Sequence, residues 1–181
     1  LLHYLKEADL LENTIIVYTS DQGFYLGEHG LYDKRFMYEE SFRTPLLIRF
    51  PEEIKAGIRI DGMVQNIDYA PTLLDLAGIK IPEDMQGKSF RVLWNKDNAP
   101  WRNELYYHYY EFQDGHMVNK HNGIRTQRYK LIHFYEMDEW EMYDLKTDPM
   151  EMNNLIGKEN YMHLYDYLKL KLLKLQEHYK V

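Results

Sequence analysis

The 181 residues contain no cysteine. That excludes a disulfide framework and a zinc–thiolate centre, although it does not fix the compartment. No segment is long and apolar enough for a membrane-spanning helix. Positive charge is short: 22 Lys and Arg stand against 29 Asp and Glu, a formal net charge of −7. A nucleic-acid partner held through phosphate contacts is therefore not expected. Serine occurs only at Ser20, Ser41 and Ser89. The first residues lack an initiator methionine, a signal peptide and a helix cap. Leu1, Leu5 and Ala8 share one face of what reads as a helix already under way, so the chain is expected to be a piece of a larger protein. Internal repeats and low-complexity tracts are missing too.

What is present is enough for a core. Hydrophobic residues make up 45% of the chain, which suits one domain or one domain with a small subdomain. Tyrosine is abundant, at 17 residues. It fits half-wet, carbohydrate-facing surfaces and equally well an amphipathic core. Most of the information lies in residues 13–51. The β-branched run Thr14–Tyr18 predicts a buried strand of parallel type, ended by Ser20-Asp21-Gln22-Gly23. Asp21 and Gln22 then sit past the carboxyl end of a strand, where open α/β sheets bind ligands. A second strand is expected at 45–50. Between the two runs a glycine-punctuated loop carries Glu28, His29, Asp33, Lys34 and Arg35, and a short helix is expected at 36–43.

Further along, residues 58–66 read as strand-like or extended. Asp68 reads as the N-cap of a helix over 69–77, with Leu73, Leu74, Leu76 and Ala77 on its apolar side. Residues 80–103, with Pro82, Gly87 and Pro100, read as a long surface connection containing a domain boundary. Beyond it come four short β segments, 105–112, 118–126, 129–135 and 140–145. Their close spacing predicts antiparallel pairing. A helix over 159–179 presents Tyr161, Leu164, Tyr165, Leu168, Leu172, Leu175 and Tyr179 at helical spacing and should cover the sheet. The expected class is α/β, with residues 1–99 and 100–181 as two domains.

Several side chains could carry chemistry. Asp21 and Gln22 offer hard oxygen ligands suited to calcium or magnesium; the plainer alternative is a loop-capping turn. Lys34 could neutralise an anion as a point charge, or be a solvated surface lysine. His29 could transfer a proton, or simply position its loop. His108, His116 and His121 could line a sugar pocket with Tyr107 and Tyr109, or be ordinary strand residues. His121 is carried forward as the substrate contact. Arg125, Tyr129 and Lys130 are read as structural.

The stretch SDQGFYLGEHGLYDKRFMYEESFRTPLLIRFP resembles the second metal-binding segment of type I sulfatases, in the alkaline phosphatase superfamily. NIDYAPTLLDLAGI and GIRTQRYKLIHFY…WEMYDLKTDPMEMNNL are similar to later segments of the same family. Iduronate-sulfatase-like and bacterial polysaccharide sulfatases look nearest. The resemblance implies the C-terminal part of an alkaline-phosphatase-like sheet domain, followed by an α+β subdomain with an antiparallel sheet and a C-terminal helix. It implies calcium at Asp21 and Gln22, sulfate on Lys34, and a sulfated saccharide or other sulfate ester as substrate. It also implies a formylglycine nucleophile from a Cys- or Ser-x-Pro-x-Arg segment. No serine here begins that pattern, so the nucleophile is expected in an N-terminal part of the parent enzyme, itself periplasmic or secreted by resemblance. Two alternatives stay open. One is a phosphodiesterase or phosphonate hydrolase of the same superfamily. The other is a non-catalytic carbohydrate-binding module.

Overall fold

The computed structural model describes residues 1–95, 99–111 and 117–181. In chain order its elements are helix α1 (Leu2–Glu7), strand β1 (Ile16–Thr19), short strands β2 (Tyr25–Leu26) and β3 (Tyr32–Asp33), helix α2 (Glu39–Phe42), strand β4 (Leu46–Arg49), helices α3 (Tyr69–Leu76) and α4 (Val92–Asn95), strands β5 (Glu104–Tyr109), β6 (His121–Thr126), β7 (Tyr129–Phe134) and β8 (Glu139–Asp144), and helix α5 (Met162–Tyr179). His116 and the end of the segment 105–112 lie outside the described residues. Among the described residues no helix is long and apolar enough to cross a membrane. The chain packs as two compact units, Leu1–Asp21 with Thr44–Trp101, and Gln22–Arg43 with Arg102–Val181.

In the first unit β1 pairs with β4 in antiparallel register, from Ile16↔Arg49 to Thr19↔Leu46. This corrects the parallel, buried strand expected there. Val17 is exposed on one face and Tyr18 and Leu47 on the other, because an isolated two-stranded ladder is fully covered on neither side. Residues 58–65 run without a ladder. Asp68 caps differently from expectation. Its carboxylate accepts the backbone N–H of Gln65 and of Lys88, each at 2.8 Å, and so closes the 3-10 turn Asn66–Asp68 rather than capping α3. The buried side of α3 is Pro71 and Thr72, while Leu73 is half-exposed. Thr72 Oγ1 donates to Asp68 O at 2.6 Å and accepts from Phe90 N at 3.1 Å. Phe90 is buried, and Arg91 pairs with Glu53 and Asp75. The segment expected as surface connection is thus partly core.

The second unit holds a four-stranded sheet in the order β5-β6-β7-β8, every pair antiparallel. The tight β6–β7 turn is stitched by Thr126 Oγ1, which donates to Tyr129 O at 3.0 Å and accepts from Tyr129 N at 2.9 Å. One cross-strand row, Tyr106–Ile124–Leu131–Met142, meets Leu168 and Leu172 of α5. Each such buried aliphatic side chain contributes roughly 1.5–3 kcal/mol. The expected sheet covered on one face by the last helix is therefore what forms.

The opposite face is covered by residues 22–43, because that segment supplies Tyr25, Met37 and Tyr38 to a core with Ile132, Phe134 and Tyr143. Only glycine fits at position 123: a Cβ there would lie 2.5 Å from Met37 Sδ and 2.6 Å from Leu131 O. Lys130 enters the same core fully buried. Its Nζ donates to Met37 O at 2.6 Å and lies 2.9 Å from Glu39 and 2.7 Å from Glu151 carboxylate oxygens. Arg125 adds a second contact to Glu39 at 3.2 Å.

Candidate functional site

Asp21 ends the first unit just past β1. Its backbone carbonyl accepts a hydrogen bond from Asn66 Nδ2. The neighbouring Thr19 hydroxyl lies 2.9 Å from Tyr69 OH. Both partners come from the segment NIDYAPTLL, which thereby holds the backbone at the strand end. The Asp21 side chain is exposed; its Oδ1 accepts the Ser20 hydroxyl at 3.3 Å, and among the described residues it has no ion-pair partner. Asn66 and Tyr69 escaped sequence reasoning, because a polar pair before a helix reads only as a turn.

Gln22 opens the second unit and is half-buried. After it, Gly23 N donates to Ser41 O at 2.8 Å and Phe24 N to Glu40 O at 2.9 Å. A Cβ on Gly23 would lie 1.9 Å from Glu40 O, so this approach requires glycine. The chain then forms the β2–β3 hairpin, with Tyr25↔Asp33 and Leu26↔Tyr32 opposite one another.

Lys34 follows that hairpin between two residues of left-handed backbone, Asp33 at φ 91° and Arg35 at φ 98°. Non-glycine residues avoid this region at a cost of about 1–3 kcal/mol each, and such strain collects where surroundings over-determine a functional loop. The surroundings here do so. Arg35 N donates to Ser41 Oγ at 3.0 Å, Arg35 O accepts Tyr107 OH at 2.7 Å, and the Arg35 guanidinium pairs with Asp33. Tyr25 OH donates to Phe36 O at 3.0 Å. Lys34 itself is half-buried and makes no ion pair among the described residues. A tied-down backbone thus presents an ammonium with no counter-charge among the described residues.

The histidines divide. His29 sits at φ 56° with its ring stacked on Tyr38, centroids 4.2 Å apart. Its Nε2 lies 3.4 Å from Glu40 Oε2 without hydrogen-bond geometry, and both atoms are buried without another partner. His121 is fully enclosed. Phe134, Tyr107, Tyr109 and Phe36 surround its ring at centroid distances of 5.2 to 5.8 Å. Its Nδ1 lies 2.8 Å from Asn119 O, and burial pushes it down to about 4. His108 does not join His121, Tyr107 and Tyr109 in one pocket. Alternation along β5 and β6 puts it on the α5 face and them on the other. Burial likewise lowers His108, and lifts the Tyr107 phenol to about 12.

Behind the loop the buried carboxylates respond to their surroundings in opposite senses. Burial works against ionisation of Glu39, but Lys130 and Arg125 outweigh it and hold the carboxyl below its ordinary range. At Glu151 burial wins over Lys130 and the carboxyl is pushed up. Among the described residues no cluster of three or more His, Asp or Glu side chains could hold a metal ion. Asp21 and Gln22 fit calcium by oxygen chemistry alone and supply two side chains of the roughly six to eight oxygens that calcium takes.

Residues 27–178 match the family described as N-sulphoglucosamine sulphohydrolase, C-terminal. The chain is 55% identical over 184 residues to an N-acetylglucosamine-6-O-sulfatase of Bacteroides thetaiotaomicron, covering 99% of this chain and 33% of that protein. It is 36% identical over 173 residues to an arylsulfatase of Clostridium perfringens, covering 94% and 35%. A protein solved in complex with its substrate D-glucosamine-2-N,6-O-disulfate superposes with a TM-score of 0.94 at 56% identity, covering 99% of this chain and 37% of that one. The chain spans about a third of the length of the curated relatives it matches.

Proposed function

This chain belongs to the sulfatases, in the family of N-sulphoglucosamine sulphohydrolase C-terminal portions, and from that premise we propose that it serves the hydrolysis of sulfate esters on a saccharide. The observation that carries the reading is Lys34, an ammonium with no counter-charge among the described residues, on a strained, anchored loop. In a water-poor site such a cation stabilises charge on sulfate oxygens, and a fixed backbone means little reorganisation at the moment of reaction. Asp21 and Gln22 would hold calcium, which when bound polarises the sulfate. The other ligands and the formylglycine nucleophile belong to an N-terminal part of the parent enzyme. The same part would cover the exposed Val17, Tyr18 and Leu47. We read residues 1–99 as the end of the catalytic α/β domain and 100–181 as the C-terminal subdomain, with residues 22–43 seated in the packing of the latter.

His29 acts in this reading by fixing the loop against Tyr38 and Glu40. His121 supports the loop from behind through Phe36, and so influences substrate without solvent access of its own. The chain alone is inactive, since attack on sulfur needs a nucleophile that it does not supply.

The test pairs a sulfate ester with the matching phosphate and phosphonate esters of one sugar. The parent enzyme should turn over the sulfate ester in preference, and the isolated chain none of them. Preference for the phosphonate ester would move the protein to the phosphonate hydrolases of the superfamily. Metal-dependent turnover by the isolated chain would refute the division of labour.

A further inference from the structure

The α5 face of the second unit's sheet changes character within one row. The first row is apolar, Tyr106–Ile124–Leu131–Met142, and α5 packs on it. Two residues along each strand, the next row reads His108–Asn122–His133–Trp140. Nothing in sheet packing asks for polar rings and an amide beside a helix, and such departures from binary patterning mark functional positions. The row forms the floor of a pocket of about 450 Å³ whose other wall is Lys169, Leu172, Leu173 and Gln176 of α5. That volume lies in the range of small-ligand sites.

The polar groups in it are arranged unequally. His108 has both ring nitrogens engaged, Nδ1 with Tyr106 OH at 3.1 Å and Nε2 with Tyr135 OH at 3.2 Å. His133 lies flat on Trp140, ring centroids 3.7 Å apart, and its Nε2 is 3.1 Å from Asp138. Asn122 is different. It is 4% exposed, and its amide oxygen has no hydrogen-bond partner. A buried acceptor left unpaired costs about 1–3 kcal/mol; the oxygen is enclosed as it stands, and a turn of the side chain toward the pocket would let a ligand N–H or O–H recover it. Lys169 is the second open group. Its ammonium lies 4.8 Å from the Trp140 ring centroid and 3.4 Å from Tyr165 OH, with no carboxylate in ion-pair range among the described residues. Leu173, exposed on α5, supplies apolar surface to the same pocket.

We propose that this pocket is a second saccharide site, taking one hexopyranose unit that carries an anionic substituent. The sugar's C–H face lies on Leu173, a hydroxyl or amide N–H donates to Asn122 Oδ1, and Lys169 meets the anionic group. The site is separate from Lys34, whose loop packs on the opposite face of the same sheet through Tyr107 and Phe36. It would hold a neighbouring unit of a polyanionic chain, or product, while ester hydrolysis proceeds elsewhere. The choice of an anionic sugar rests on the sulfatase reading; the existence of a ligand site rests on Asn122 and the pocket.

The test labels the three tryptophans of the full chain with 5-fluorotryptophan and follows each fluorine resonance during titration with N-acetylglucosamine 6-sulfate. The Trp140 resonance should move at millimolar sugar, with Trp94 and Trp101 unmoved. Lys169→Ala should weaken this response about tenfold with the melting temperature unchanged, and N-acetylglucosamine without sulfate should bind as weakly as that variant binds the sulfated sugar. Asn122→Leu should abolish it; should that variant fail to fold, Asn122→Ser, which shortens the side chain and withdraws the amide oxygen, should weaken it at least tenfold, and an unchanged response in a folded Asn122 variant would overturn the site. A silent Trp140, or an equal response to inorganic sulfate, would overturn the site. The readout does not involve turnover, so a moving Trp140 in an enzyme that spares sulfate esters sinks the function and keeps the pocket.

Discussion

The two units finish their packing to very different degrees. In the second, residues 22–43 lie on a four-stranded sheet, with Met37 fully buried and Lys130 held between two carboxylates. In the first, the β1–β4 ladder leaves Val17, Tyr18 and Leu47 in solvent, and the Asp21 carboxylate has no cation among the described residues. One region over-determines its loop; the other leaves apolar side chains and a carboxylate exposed. Lys34 belongs to the densely packed region and Asp21 to the open one.

The contrast breaks most violently at Lys130. Lys130→Ala strands Glu151 in the core and leaves Glu39 with Arg125 alone, and about 3–5 kcal/mol of stability should be lost in denaturant unfolding. A loss under 1 kcal/mol would mean that water reaches those carboxylates.

His121 gives a pH-dependent version of the same test. Its folded value is about 4 against an ordinary 6.5. The unfolded chain therefore binds a proton that the folded chain refuses. The stability tied to neutral His121 is present above pH 6.5 and lost as pH falls through about 4. The difference in unfolding free energy between wild type and His121→Phe should shift by about 3 kcal/mol across that window. A flat difference would show that the ring is hydrated.

Gly123→Ala should cost about 1–3 kcal/mol, since the methyl must displace Met37 Sδ or the Leu131 carbonyl. In the open region Leu47→Ser should change the melting of the isolated chain by less than about 0.5 kcal/mol. A larger loss would mean that Leu47 is covered in solution.

Much of the second unit was legible in the sequence. Four closely spaced β segments and a Leu/Tyr helical stripe specify an antiparallel sheet under a helix, because both signals are local periodicities. What was not legible depends on distant contacts. Lys130 alternates like an ordinary strand lysine, and nothing nearby says that Glu39 and Glu151 will enclose it. A β-branched run predicts a buried strand, yet it cannot report whether any other element covers Val17. The Asp68 carboxylate could have capped α3; Gln65 and Lys88 captured it instead. For the candidate site, the resemblance pointed to Asp21, Gln22 and Lys34 as residue types at a spacing. It carried no signal for the left-handed backbone on both sides of Lys34, nor for Asn66 and Tyr69 at the end of β1. A pocket shared by His108 and His121 was ruled out by a simpler feature, since period-two alternation sends the two to opposite faces, as fits the reading of ordinary strand residues.

The central claim is that Lys34 is a sulfate-binding cation on a loop made rigid by the second unit. Steady-state kinetics of Lys34→Ala in the parent enzyme, with a sulfated saccharide as substrate, test it most directly. The account predicts a fall in kcat/KM of about a hundredfold to a thousandfold with the melting temperature unchanged, because a lysine with no ion pair among the described residues contributes little to folding and much to charge stabilisation. Unchanged kinetics in a folded variant would contradict it.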